Sequence, residues 1–341
     1  MKTAPLNHKA GRSGRRHWRG IVLAVLWLCL PLPVPAAWDL SVDGDARFQW
    51  TDWAHAGAGI HRVGASLRKT FSDARGDRLV LFGLVEAQDD FSEIMVHELY
   101  GLYKGPLGAW NVTAGRFGLP WGLLSGFSAS RLLYEMPHDR LLGMDVDSGL
   151  KISGVTGALD YAVSITQGYG PHNTPHDWGH GLATARIGFT PGDTEEFSWG
   201  LSAAWGRSLA AHVEETTAEM ETAGPEHDGE RPWRRVLVGL DGTLYLGRWL
   251  GRLEVAGGRV GGLTMATGFA ALDFALWPRL DLNLAVNAVR HGSDHQEAWF
   301  VGFTAKPAWF TFRGGYRYAG HHNESRHEVV FQIYRLFAFS R

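Results

Sequence analysis

The chain has one cysteine in 341 residues, Cys29. That excludes an internal disulfide framework and a cysteine-built zinc site. Long apolar runs are nearly absent too. Only Ile21 to Leu30 is uninterrupted, and it is too short to cross a bilayer as a helix. A mean hydropathy of −0.14 is too polar for a bundle of membrane helices. Neither sign of charge dominates: 33 Lys and Arg stand against 35 Asp and Glu. The basic footprint expected of a nucleic-acid partner is therefore missing. What the chain has in quantity is glycine (44), tryptophan (15) and phenylalanine (17), far too many aromatics for a disordered polymer. An all-β protein remains, either soluble or a membrane barrel.

Residues 1–36 carry Lys2, Lys9, Arg12, Arg15, Arg16 and Arg19 and no acidic residue. The short apolar run and then Pro31 to Ala36 follow. Basic segment, apolar segment and small-residue end in that order read as a secretory signal peptide, with cleavage expected after Ala36. Trp27 and Leu28 stand where a lipidated Cys29 would need small neighbours. Arg15-Arg16 reads as ordinary leader charge rather than a twin-arginine signal, so export through the general secretory route is expected. Losing six positive charges takes the formal charge from −2 to −8, and the only cysteine goes with them. A cysteine-free, acidic, exported chain over 37–341 suits the envelope of a Gram-negative bacterium.

Beyond the leader, alternation of period two recurs. In Leu280-Asp281-Leu282-Asn283-Leu284-Ala285-Val286-Asn287-Ala288 every even position is apolar; Phe197 to Trp205 and Leu40 to Gln49 repeat the pattern. Sixteen such segments are expected, near 40–50, 60–71, 77–88, 94–104, 109–117, 147–155, 159–167, 181–190, 196–206, 235–246, 249–258, 262–276, 280–291, 297–306, 309–318 and 326–338. Each is about the roughly 9–11 residues that a tilted membrane strand needs. The even-numbered connections are tight, as at Gly247-Arg248 and Pro278-Arg279. The odd-numbered ones hold the long insertions, expected at 118–146, 168–180, 207–234 and 319–325. A sandwich has no reason to sort its loops by parity; a transmembrane antiparallel barrel, with periplasmic turns and extracellular loops, does.

Several stretches of the first half, in order, carry a family likeness. They are Ile60 to Lys69, Val96 to Lys104, Ala114-Gly115-Arg116-Phe117-Gly118-Leu119-Pro120-Trp121-Gly122-Leu123, Ser130-Arg131 through Arg140, Gly154 to Gly168 and Ala185 to Pro191. This series resembles the phosphate- and polyphosphate-selective porin family. The resemblance implies a sixteen-stranded barrel that assembles as a homotrimer, with its third extracellular loop folded inward to narrow the pore. It implies passage of small hydrophilic solutes or ions through water, with no cofactor. The family's anion-selective members have a lysine- and arginine-rich lumen, whereas this mature chain is acidic.

If the third loop folds inward, Arg131, Glu135, Asp139, Arg140, Asp145 and Asp147 are the candidate constriction residues. Alternation places Arg47, Arg62, Arg68, Lys104, Lys151, Arg186, Arg252, Arg313 and Arg317 on the lumen wall. The acidic counterparts there are Asp43, Asp45, Glu86, Glu98, Asp160, Asp241, Glu254, Asp273, Asp281 and Glu328. Charged rings set ion selectivity in pores, and a nearly balanced wall predicts little of it. His172, His176 and His180 in the fourth loop are weak candidates for metal ligands, without a recognised spacing. No Gly-x-Ser-x-Gly or His-Glu-x-x-His is present, and we read no active site.

The expected function is that of a weakly selective diffusion channel in the outer membrane. Its partners would be outer-membrane lipid and the barrel-assembly machinery. Two alternatives stay open: an anion- or phosphate-selective porin, and a barrel scaffold sheathing a multihaem cytochrome as an electron conduit.

Overall fold

The computed structural model describes residues 36–53, 55–74, 76–88, 90–124, 133–134, 136, 141–170, 180–191, 196–209, 232–321 and 324–340. The expected leader at 1–35 lies outside them. Sixteen strands run in order: β1 Ala36–Thr51, β2 His55–Asp73, β3 Gly76–Gln88, β4 Glu93–Lys104, β5 Asn111–Gly118, β6 Val146–Thr156, β7 Leu159–Thr166 and β8 Gly181–Phe189. Then come β9 Phe197–Ser208, β10 Trp233–Leu246, β11 Trp249–Val260, β12 Leu263–Trp277, β13 Leu280–His291, β14 Asp294–Ala305, β15 Thr311–His321 and β16 Glu324–Ser340. Every strand pairs antiparallel with its neighbours in sequence, and β16 closes on β1 from Asp39↔Ser340 to Thr51↔Glu328. Closure leaves no edge, so the ladder itself satisfies the backbone, as hydrocarbon requires.

The two faces of the wall follow from the alternation. Leu282 and Leu284 point outward at 43% and 49% exposure, while Ala285, Asn287 and Val289, of the opposite parity, are buried inside. Trp199, Leu201 and Trp205 are likewise exposed, with Ser202 and Ala204 turned in. An aromatic row crosses the outer face at the seam: Phe48 stacks on Phe331 and Phe331 on Phe312, and Phe312 meets Phe303 at a tilt. Phe337 and Phe339 extend the outward period of the last strand. Outside a bilayer such a surface would be costly. Inside one it meets its own kind, and this is a transmembrane β-barrel.

The loop parity is sharper than expected in one respect and wrong in another. Gly247–Arg248 and Pro278–Arg279 are two-residue turns, and the long connections 119–145, 167–180 and 209–232 are all odd-numbered. The eighth odd connection is not long, because β15 runs to His321 and β16 starts at Glu324. Its polar His-rich sequence looked like loop, but it continues the two strands above the apolar band. The register breaks at Asp45/Ala46 and at Leu84/Val85, where His61 and His97 are the extra residues. Both bulged histidines lie beside the charged interior wall.

A loop latched across the lumen

The described residues of the third loop, 119–124, 133–134, 136 and 141–145, lie inside the barrel. The loop's entry is shaped by Gly122, whose φ of +45° is left-handed. A Cβ there would stand 2.3 Å from Glu254 Oε2, so glycine is needed on both counts. The absent side chain lets the β11 carboxylate sit beneath the loop. Glu254 accepts from Trp121 Nε1 at 3.1 Å and from the Leu123 amide at 2.9 Å. Ser202 on β9 accepts from the Gly122 amide at 2.9 Å. The return limb is held by Arg235 of β10, which donates to the carbonyls of Leu141 at 2.5 Å and Leu209 at 2.8 Å and also bonds Ser208. Ser208 in turn donates to the Leu142 carbonyl at 2.7 Å.

Apart from Asp145, the described residues of the loop are mainly apolar, and so is the wall they cover. Leu119, Trp121, Leu124, Leu141, Leu142 and Met144 pack against Leu182, Ala204, Leu237, Val260, Met265 and Val289, which descend from β8 to β13. Further along, Leu123, Leu133 and Met136 pack on Phe269, Ala271, Ala285, Phe300 and Val330. Tyr134 lies against Phe269 and Phe300 at centroid distances of 5.8 and 5.7 Å. Burial, with Asp273 nearby, pushes its phenol up to about 12, so the ring stays neutral. Most of this barrel's internal apolar core is therefore the contact between the loop and the β8–β14 wall.

The longest run of interior charges lies on the strands on either side of the seam, with basic and acidic groups interleaved. On β15 and β16, Arg317 Nε donates to Glu328 Oε2 at 2.7 Å, and Arg313 reaches Gln332 at 2.8 Å. Arg47 pairs with Asp45 at 3.1 Å, and His61 stands 3.6 Å from the same carboxylate. Arg62 is clamped between Asp43 at 2.6 Å and Glu86 at 2.5 Å. His97 then bridges toward Glu86 at 3.7 Å and Asp145 at 3.5 Å, at the foot of the third loop. Smaller groups complete the set. Arg186 joins Asp160 and Asp241 at 2.8 and 2.6 Å, Arg252 joins Asp273 at 2.6 Å, and Lys306 joins Asp281.

The expected wall residues are thus inside, but most are neutralised by a neighbour. Glu98 accepts from the Gly118 amide at 3.0 Å, and Lys151 donates to the Gly118 carbonyl at 3.2 Å over the Phe117 ring. Lys104 pairs with Asp77 at the short-turn end. Arg68 is the exception: it is exposed on the inward face and makes no ion pair among the described residues.

Of the expected constriction residues, Arg131, Glu135, Asp139 and Arg140 lie outside the described residues. Asp145 stands at the loop's base. Asp147 requires correction: it belongs to β6, is 1% exposed, and accepts the amides of Ser148, Gly168 and Gly170. It fastens the start of the fourth loop to β6 rather than lining the pore. Glu254 was expected as a wall charge and is instead the loop's latch. Arg235 was missed, although its parity with Asp241 was enough to place it inside. His180 stacks edge-on against Tyr169, while His172 and His176 lie outside the described residues. No cluster of His, Cys, Asp and Glu suited to a metal exists among the described residues.

No protein-family model and no curated protein matches the sequence. Solved structures do match it in fold. In-vitro folded OmpT, an outer membrane protein of Vibrio cholerae, superposes with a TM-score of 0.67 at 13% identity, covering 89% of this chain and 98% of its own. An anion-selective porin from Comamonas acidovorans gives 0.64 at 11%, covering 89% and 99%. The outer membrane channel DcaP of Acinetobacter baumannii gives 0.60 at 10%, covering 91% and 99%.

Proposed function

We propose that this chain is a passive diffusion channel of the bacterial outer membrane, passing small hydrophilic solutes or ions with weak selectivity. One observation carries the reading: the third loop is latched against one side of the lumen and leaves a charge-lined wall on the other. A purely structural barrel has no need of both. The long loops would face the outside and the short turns the periplasm, after export by the leader and insertion by the barrel-assembly machinery. No cofactor enters the mechanism, and solutes move down their own gradients.

The wall argues for weak selectivity. Arginine and carboxylate pairs at 2.5 to 3.1 Å cancel most of the local field, so the residual sign would follow the acidic balance of the mature chain. A small cationic preference is expected. The phosphate-selective alternative is favoured by the motif series in the first half, by the anion-selective Comamonas neighbour, and by Arg68 standing unpaired on the inner face. The electron-conduit reading is disfavoured, because the chain's own loop occupies space that a cytochrome would need. A homotrimer follows from the family resemblance alone.

Single-channel recording in planar bilayers under a salt gradient tests the reading. Discrete steps with a small cationic reversal potential, unchanged by phosphate, are expected. Absence of conductance by the folded barrel would remove the channel, and block of chloride current by submillimolar phosphate would replace weak selectivity with the phosphate-specific alternative.

A further inference from the structure

Follow the outward-facing residues of β9, β10, β11 and β13 from the short-turn end, and each stripe is apolar or glycine until its last position. On β9 it reads Phe197, Trp199, Leu201, Ala203, Trp205 and then Arg207; on β13 it ends in Arg290 after Val286 and Ala288. The stripe of β10 ends in Arg234 beyond Val236, and that of β11 in Arg259 beyond Gly257. All four arginines are exposed. Among the described residues none makes an ion pair, and Arg290 alone has a bond, to the Gly292 carbonyl.

Their heights agree. Arg207, Arg259 and Arg290 each lie ten positions from the short-turn end of their strand, and Arg234 twelve. Ten residues at roughly 3.3 Å each, tilted by about 40°, rise about 25 Å, the height of the apolar band of a membrane barrel. The arginines therefore sit at the upper edge of that band, on the long-loop side. Arg207 and Arg234 are directly opposed in the register, Arg259 is one diagonal step from Arg234, and a single strand separates Arg259 from Arg290. Like charges directly opposed across strands repel, so an unoccupied row of this kind is destabilising. Arg116 on β5, which shares the outward parity, is turned into the wall by its bond to the Val96 carbonyl at 2.7 Å.

We infer that this arc is a binding site for the phosphate groups of the anionic glycolipid of the outer leaflet. The wall below takes the acyl chains, and the guanidinium row meets the headgroup phosphates where the hydrocarbon ends. Guanidinium binds phosphate bidentately and stays charged at any working pH. An annular zwitterionic lipid would leave the row uncompensated. The site needs the long-loop end to face outward, but it is independent of what the pore passes.

The test is native mass spectrometry of the detergent-solubilised, folded barrel incubated with bisphosphorylated lipid A. Each arginine near an anionic surface is worth about fivefold in binding. The variant R207Q/R234Q/R259Q/R290Q should therefore retain the lipid at least about a hundredfold less than the parent. The double variant R234Q/R259Q should fall between, and R248Q/R335Q, at the short-turn end, should match the parent. Folded protein of every variant is verified by its heat-modifiable migration. Phosphate-free lipid A should not be retained, and inorganic phosphate in excess should fail to strip the bound lipid. Equal retention by the quadruple variant, equal retention of the phosphate-free lipid, or stripping by inorganic phosphate would each overturn the site. So would binding that emerges only after deletion of 212–230, which would make the acidic fifth loop the arc's occupant.

Discussion

Trp121 Nε1 donates to Glu254 Oε1 at 3.1 Å across 133 positions of sequence, and both side chains are buried. This bond joins the third loop to the wall it packs on. Glu254→Ala leaves the Trp121 indole and the Leu123 amide without their acceptor. Unsatisfied buried donors cost about 1–3 kcal/mol, and the loop loses its anchor at β11. Urea unfolding in detergent micelles should show that loss, and single-channel conductance should rise and become noisier. An unchanged conductance would mean that the loop does not bound the pore.

Trp121→Ala tests the apolar half of the same latch. The ring is fully buried among Leu119, Leu141 and Leu237, so a loss of about 3–5 kcal/mol is expected. Trp121→Phe keeps most of the packing but not the N–H. It should recover most of the stability and little of the quiet current trace.

Arg62 stands between two carboxylates and is nearly closed to solvent. Arg62→Met strands Asp43 and Glu86, and breaking such a buried pair costs about 3–5 kcal/mol. Adding Asp43→Asn and Glu86→Gln should return most of it. If the triple variant folds well and conducts with the parent's selectivity, these charges serve the wall and not the ions.

Leu284 faces hydrocarbon near the middle of β13. Leu284→Arg should destabilise the folded barrel by roughly 2–4 kcal/mol, whereas Leu284→Phe should cost almost nothing. An interior site would object to the larger ring as well, so the pair of variants fixes the register of the strand.

Removing residues 334–341 takes away the partners of Asp39 through Asp45 and leaves the closing seam half made. The truncated chain should fail to give a heat-modifiable folded band, and membrane fractions should hold it only as aggregate. Normal insertion would show that the seam closes without them.

How far the sequence reached can be read from β13 and from Glu254. Alternation of period two is a local property, so Leu282, Asn283 and Leu284 announce their faces with no knowledge of the neighbours. Loop parity needs only an ordered count of strands, and sixteen of them with long odd loops already imply a closed membrane barrel. Asp147 shows where this local reading fails. Its place after a long loop looked like a pore position, but its oxygens are taken by amides twenty and more residues away. Nothing local distinguishes a carboxylate facing water from one facing a backbone turn.

The sequence by itself determined the strands, their two faces and the charges placed inside, because each follows from spacing along one chain. Only the tertiary structure decided which charges cancel, since Arg62 meets Asp43 and Glu86 through the register of three strands. It alone set the loop against β8–β14, where apolar residues from seven strands form one surface once the barrel closes. It also levelled the four outward arginines, because strand tilt offsets a stagger that the sequence shows only as unrelated positions.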